Sequence, residues 1–147
     1  MRLTLYTDLS LRLLMFLALA PDGRPTIQDA ANRYGVSRNH LMKVAQQLGK
    51  AGFIETARGR GGGLRLSRPP AEIGVGEVAR TTEEDFRMVA CFDGGQTSCV
   101  LVPACRLRGV LGEALAAYLA VLDRYTLADL TAAGQPMLRA LGLSRAA

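Results

Sequence analysis

Two capped helical segments, each closed by glycine, lead directly into a glycine-rich basic hairpin, and few folds accept that order. Thr26-Ile-Gln-Asp29 has the spacing of a capping box, and Ile27, Ala30, Ala31 and Tyr34 supply one buried stripe before Gly35 stops the helix. Ser37 caps the next helix, which reaches about Ala51 with Leu41, Val44, Ala45 and Leu48 facing inward and Gly52 closing it. Two helices joined by a tight glycine-containing turn form a helix-turn-helix. Phe53–Ala57 then alternates as a strand and Leu64-Arg-Leu66 as its return, about the flexible charged tip Arg58-Gly-Arg-Gly-Gly-Gly63. A basic hairpin behind a helix-turn-helix makes a winged helix. The expected class is mainly α with a small β hairpin, a winged helix-turn-helix plus a long C-terminal dimerisation helix.

Charge agrees with that reading. From Arg33 to Arg68 eight basic residues stand against Glu55 alone, so this segment carries +7 in a chain whose total is +5 and leaves the remainder at −2. A basic segment in an otherwise mildly acidic chain suits a polyanion, although a solvated basic face has the same composition. On the third helix, Ser37, Arg38, Asn39, His40, Lys43, Gln46 and Gln47 lie opposite the apolar stripe. Donors at the start of a recognition helix can meet base edges and phosphates of double-stranded DNA. Arg58 and Arg60, on the glycine-rich tip, suit a narrow minor groove. His40 is the single histidine and belongs to this surface.

The remaining elements follow from periodicity and punctuation. Residues 7–20 read as a first helix, with Thr7 as cap and Pro21-Asp22-Gly23 as stop. It is apolar nearly all round, so it should be sandwiched. Its apolar run superficially resembles a secretory signal, but Asp8 and Arg12 interrupt it and it is too short to span a bilayer. A short helix is expected from Ile73 to Thr81 and a long one from Pro103 to about Leu122. The long helix carries Leu107, Val110, Leu111, Leu115, Tyr118, Leu119 and Leu122 at three- and four-residue spacing. Pairing with a second copy is the natural way to cover such a face. Residues 1–81 are therefore expected to form the DNA-binding domain, 82–102 a cysteine-bearing loop, 103–133 the dimerisation helix with a short following helix, and 134–147 a loose tail.

Cys91, Cys99 and Cys105 are the chain's three cysteines, and they share one stretch with Asp93, Gly94-Gly95 and Pro103. An odd number argues against a disulfide framework, and clustered thiolates suit a metal or iron–sulfur centre in a reducing cytoplasm. Zinc binding or a reversible thiol switch are the rival uses. A cluster-bearing redox enzyme is disfavoured: no nucleotide-binding glycine motif opens a strand–helix unit, and no base–nucleophile pair is present.

Leu3-Thr-Leu-Tyr-Thr-Asp8, Val36-Ser-Arg-Asn-His-Leu41, Arg58-Gly-Arg-Gly-Gly-Gly63 and Cys105-Arg-Leu-Arg-Gly109 together resemble the Rrf-type winged-helix repressors, over nearly the whole chain to about Leu130. The resemblance implies a homodimer on palindromic promoter DNA, with no membrane partner. It also implies an iron–sulfur cluster in each subunit, [4Fe–4S] with [2Fe–2S] as the alternative, held by Cys91, Cys99 and Cys105 and by Asp8 from the partner subunit. Taken without it, the residues leave Asp93, Glu83, Glu84 and Asp85 open beside Asp8 as the oxygen ligand. Carboxylate is harder than thiolate, so the iron it binds should be the labile one. Arg12 can pair with Asp8 at i, i+4 spacing and tune its availability.

Two departures refine the expectation. Seven residues separate Cys91 from Cys99, a longer interval than is common among relatives. Relatives that regulate iron–sulfur assembly place histidine three positions after the last cysteine, where this chain has Arg108. That difference implies the nitric-oxide-sensing branch, with derepression of nitric-oxide detoxification genes. A regulator of the same family responding to iron–sulfur status, metal or oxidant is the alternative.

Overall fold

Thr4 is held in extended backbone (ψ 155°), and its side chain accepts a hydrogen bond from the Thr7 N–H, which starts helix α1 (Leu5–Leu19). The cap expected at Thr7 therefore lies one turn earlier. Thr7 is inside the helix instead, fully buried, and its hydroxyl accepts from Thr82 at 2.9 Å. The computed structural model describes residues 2–20, 24–57, 59, 62–92 and 99–143.

Helix α1 is the centre of the molecule. It packs on α3 (Arg38–Lys50), α4 (Val75–Thr82), α6 (Leu127–Thr131) and strand β2 (Gly63–Leu66). Leu13 and Leu14 are completely enclosed, and Leu9, Phe16, Leu17 and Leu19 are buried with them. A helix apolar nearly all round thus finds cover on several sides within its own chain. Each large aliphatic or aromatic side chain so enclosed contributes roughly 1.5–3 kcal/mol relative to exposure.

The helix-turn-helix forms as expected. Helix α2 (Ile27–Tyr34) opens on a reciprocal box in which Thr26 accepts from the Asp29 N–H, while Asp29 accepts from the Thr26 N–H at 2.7 Å. Gly35 makes the turn at φ 63°, in the left-handed region where glycine meets no Cβ penalty. In α3, Leu41, Val44, Ala45 and Leu48 are buried, as the apolar stripe requires. Strands β1 (Ile54–Ala57) and β2 pair antiparallel, from Ile54 opposite Leu66 to Ala57 opposite Gly63. Residues 24–25 cover the outer edge of β2: the Leu64 N–H donates to the Pro25 carbonyl at 2.9 Å. A Cβ at Gly63 would stand 2.1 Å from the Arg24 carbonyl oxygen, so this approach requires glycine.

The long helix is α5 (Arg106–Asp123), preceded by a single 3-10 turn at Val102–Ala104 where Pro103 bends the chain. Its C-terminal end is fastened to the winged domain. Arg80 of α4 makes a two-pronged ion pair with Asp123 at 2.5 and 2.7 Å, and the backbone bonds Val75 N–H to Tyr125 O and Leu127 N–H to Ile73 O follow at once. Helix α6 then inserts Leu127 into the same core as α1, α3 and α4. The boundary expected after residue 81 consequently does not separate two cores. The segment expected to trail loosely from Gly134 instead builds α7 (Gln135–Ala140), with Leu138 buried and Leu141 and Leu143 packed on the core cluster. Residues 144–147 lie outside the described residues.

Replacing Leu127 with alanine should lower the unfolding free energy by about 2–5 kcal/mol, the cost of an enclosed leucine. Urea titration checks it, and a loss well under about 1 kcal/mol would mean that α6 only rests on the surface.

Candidate functional site

Ser37, Arg38, Asn39, His40 and Lys43 are all exposed along the first half of α3, with Gln46 and Gln47 continuing the same face. The sequence-derived reading surface is thus assembled on one helix, opposite its enclosed stripe. Ser37 occupies the cap position in extended backbone but makes no side-chain cap hydrogen bond, and no acidic residue lies in the first turn. The first N–H groups of α3 are therefore not claimed by a cap, and the positive end of the helix faces outward, an arrangement that accepts phosphate.

The basic residues divide by role. Arg65 is paired with Glu55 across the hairpin, donating through Nε at 2.8 Å. Arg68 is engaged by Glu77 at 2.5 Å and by the Glu72 carbonyl, and its guanidinium lies 5.3 Å from the Phe53 ring centre. Arg65 is thus held within the hairpin and Arg68 ties the hairpin to the body, so both are poorer DNA contacts than the charge count implied. Arg38, Lys43 and Lys50 form no ion pair with any described residue. Arg58 and Arg60 fall outside the described residues, as does Asp93.

The sulfur donors lie at the far side of α4 from the reading helix in chain order. Cys91 is half-buried in a 3-10 turn (Ala90–Phe92), Cys99 is exposed, and Cys105 is half-buried at the N-terminal cap position of α5. None of the three is in a disulfide. The α5 N-terminus has no side-chain cap, so its free N–H groups favour an anionic group near Cys105. Among the described residues, no three of the His, Cys, Asp and Glu side chains of one chain gather into a metal-holding group.

Asp8 stands on the open side of α1. Its carboxylate receives the Arg12 guanidinium through Nε and Nη2, both at 3.0 Å, and both side chains remain over two-fifths exposed. Exposed i, i+4 pairs of this kind stabilise by only about 0.3–0.5 kcal/mol. Asp8 also lines an open groove of about 880 Å³ with Arg2, Leu3, Thr4, Leu5 and Arg12. Leu5 beside it is 61% exposed, as are Leu107 and Val110 of α5 at 62% and 52%. Although α5 has eighteen residues, none of them is buried.

Three contacts at this end escaped the sequence reading. Glu83, one of the alternative oxygen ligands, instead accepts from the Thr4 N–H at 2.8 Å and from the Thr4 hydroxyl at 3.0 Å. Thr7 and Thr82 bond in the interior. The Tyr34 hydroxyl donates to the Arg12 carbonyl at 3.0 Å. Asp85, another alternative, is paired with Arg87, which holds its carboxyl below the usual range.

The Rrf2 family model, described as an iron-dependent transcriptional regulator, matches residues 3–133. The chain belongs to the Rrf2 family. It is 56% identical over 131 residues to the HTH-type transcriptional regulator NsrR of Bacillus subtilis, covering 88% of this chain and 90% of that protein. It is 53% identical to the protein of the same name from Shouchella clausii, over 88% of each. Among solved structures, IscR of T. potens superposes with a TM-score of 0.75 at 23% identity, over 93% of this chain and 90% of that one. CymR of B. subtilis, the global cysteine regulator, gives 0.72 at 21% identity, over 90% and 98%. The Rrf2 winged-helix architecture is therefore the fold of this chain, and its relatives are named as transcriptional regulators. No described helix is long and apolar enough to cross a membrane.

The reading head has a pH signature. The Thr26 backbone N–H, then its hydroxyl, hold the Asp29 carboxyl below its ordinary range. A depressed folded-state pKa gives stability that is present above the unfolded value and lost as pH falls through the folded one. Thr26→Ala should therefore cost about 1 kcal/mol at neutral pH, with the difference from the parent shrinking in acid below the Asp29 transition. Urea titrations at neutral and acid pH check this, and a pH-independent difference contradicts it.

Proposed function

We propose that this Rrf2-family chain is a cytoplasmic homodimeric DNA-binding repressor that senses nitric oxide through an iron–sulfur cluster. The observation that carries the reading is the position of Asp8. It lies in the first turn of α1 on the helix's outward side, lining an open groove, flanked by exposed leucine and restrained by a weak ion pair, where a second chain can reach it.

The donor set fits the cluster. Three thiols in one stretch, none of them in a disulfide, provide soft ligands, the single histidine is on the reading helix, and a carboxylate is the remaining ligand type. Cys91, Cys99 and Cys105 of one subunit and the partner subunit's Asp8 would hold it, as [4Fe–4S]. When bound, it supplies iron that nitric oxide attacks. Asp8 would give up Arg12 for the cluster at little cost, because the exposed pair is weak. Without the cluster Asp8 would remain with Arg12, and α1 would lack that tie to the other subunit.

Helix α5 supports the dimer. Leu107, Val110 and Val121 are exposed, and Gly109 and Gly112 have open space where a Cβ would stand, so a second helix can approach closely. Its far end is clamped to the winged domain by Arg80 and Asp123. Rotating one α5 against the other would thus move the two reading helices. Palindromic half-sites demand recognition helices about one DNA turn apart, so a small rotation spoils the fit.

Protein purified without oxygen should be brown and should shift operator DNA in a gel, and nitric oxide should abolish the shift. Colourless protein with full affinity refutes the cluster, and an unchanged shift after nitric oxide refutes the signal. Lys43→Ala should reduce the slope of log affinity against log salt by about 0.9, the share of one phosphate contact. Val110→Glu should convert the dimer to monomer in sedimentation velocity. A dimer of unchanged strength would place the contact elsewhere.

A further inference from the structure

Tyr34 is the last residue of α2, directly before the left-handed Gly35 that turns the chain toward the reading helix. Its ring meets Phe16 of α1 edge-on, with centroids 6.2 Å apart and planes at 64°. Its hydroxyl donates to the main-chain carbonyl of Arg12 at 3.0 Å. That carbonyl lies within α1, where the helix's own ladder uses one lone pair, so the hydroxyl takes the other. Burial raises the Tyr34 pKa above its ordinary value, which keeps the O–H a donor across the physiological range.

Arg12 therefore has two partners of different kinds. Its guanidinium holds Asp8, and its carbonyl holds the residue next to the turn of the helix-turn-helix. Apolar packing of α1 on α3 resists their separation but is non-directional, so it opposes sliding or rotation of the helix only weakly. A hydrogen bond fixes direction as well as distance. Tyr34 adds to that packing a directional polar contact between α1 and the reading head.

We propose that Tyr34 is a positioning residue through which displacement of α1 at Asp8 is passed to the reading helix. The inference rests on the proposed role of Asp8 and extends it. Since Asp8 would serve the cluster carried by the opposite subunit's cysteines, each cluster governs the reading helix of the other subunit.

Tyr34→Phe keeps the ring on Phe16 and removes only the donor, leaving the Arg12 carbonyl with its helical partner. The test is operator affinity by anaerobic fluorescence anisotropy, for cluster-loaded and cluster-free protein, alongside the cluster absorption spectrum. In the parent chain, loading should raise affinity. In Tyr34→Phe, the spectrum and the cluster-free affinity should stay at parent values while the loaded-to-free ratio falls about five- to tenfold. An unchanged ratio overturns the inference and leaves the cluster reading intact. An equal fall in both forms also overturns it, since that marks plain structural support. A parent ratio of one would sink the cluster reading and this inference together. Phe16→Leu, which loosens the ring but leaves the hydroxyl, should retain most of the ratio. If it loses the ratio instead, ring packing rather than the hydrogen bond is the link and the inference fails.

Discussion

The enclosure of α1 is the constraint on which the other elements depend. The helix-turn-helix leans on it through α3, the hairpin through β2, and the base of the long helix through α4 and α6. Leu13 and Leu14 have no exposed surface, and they sit on adjacent positions that a helix points in different directions. One element thus fills parts of the core that would otherwise belong to separate units. Packing at crystal-like density passes small displacements on, and α1 has neighbours in the helix-turn-helix, the hairpin and the base of the long helix.

Polar contacts then give α1 a fixed orientation within that enclosure. At its N-terminus Thr4 bonds Glu83, and Thr7 bonds Thr82 in the interior. Near its middle Tyr34 bonds the Arg12 carbonyl. The first two attach α1 to the end of α4, where the chain sets out toward Cys91, and the third attaches it to the turn before α3. Asp8 lies between these attachments on the outward side. That placement is what makes Asp8 useful in the proposed dimer: a pull on it acts on a helix already tied to both the sulfur-bearing segment and the reading head.

Much of this fold was legible in the residues. The Thr26–Asp29 box, the stop at Gly35, the α3 stripe and the alternation about the hairpin are local signals, each complete within a few positions, and each formed where expected. The exposed face of α3 followed from the same period. The N-terminal cap moved from Thr7 to Thr4 because both threonines can cap, and only the distant Thr82 draws Thr7 into the helix. The same blindness to distant partners hid the insertion of Leu127, the packing of α7 and the Tyr34 bond. Arg65 and Arg68 counted toward a basic face in composition, yet Glu55 holds Arg65 across the hairpin and Phe53, Glu72 and Glu77 engage Arg68. Their neutralisation depended on which residues the hairpin brings opposite one another.

A sensor of the proposed kind also needs its contacts graded in strength, and the gradation here is legible in burial. The core around α1 is worth many kcal/mol and does not open when a surface ligand changes. The exposed Asp8–Arg12 pair is worth a few tenths, so it yields to a stronger partner. Between those limits stands a single well-formed hydrogen bond such as that of Tyr34, with a net value of about 1 kcal/mol. Couplings between distant sites usually amount to about 1–3 kcal/mol. A contact much stronger than that would lock the reading head to α1 whatever Asp8 did, and a much weaker one would let the two drift apart. In the proposed dimer, the middle rank is the one able to transmit a change at Asp8 without unfolding the head that responds to it.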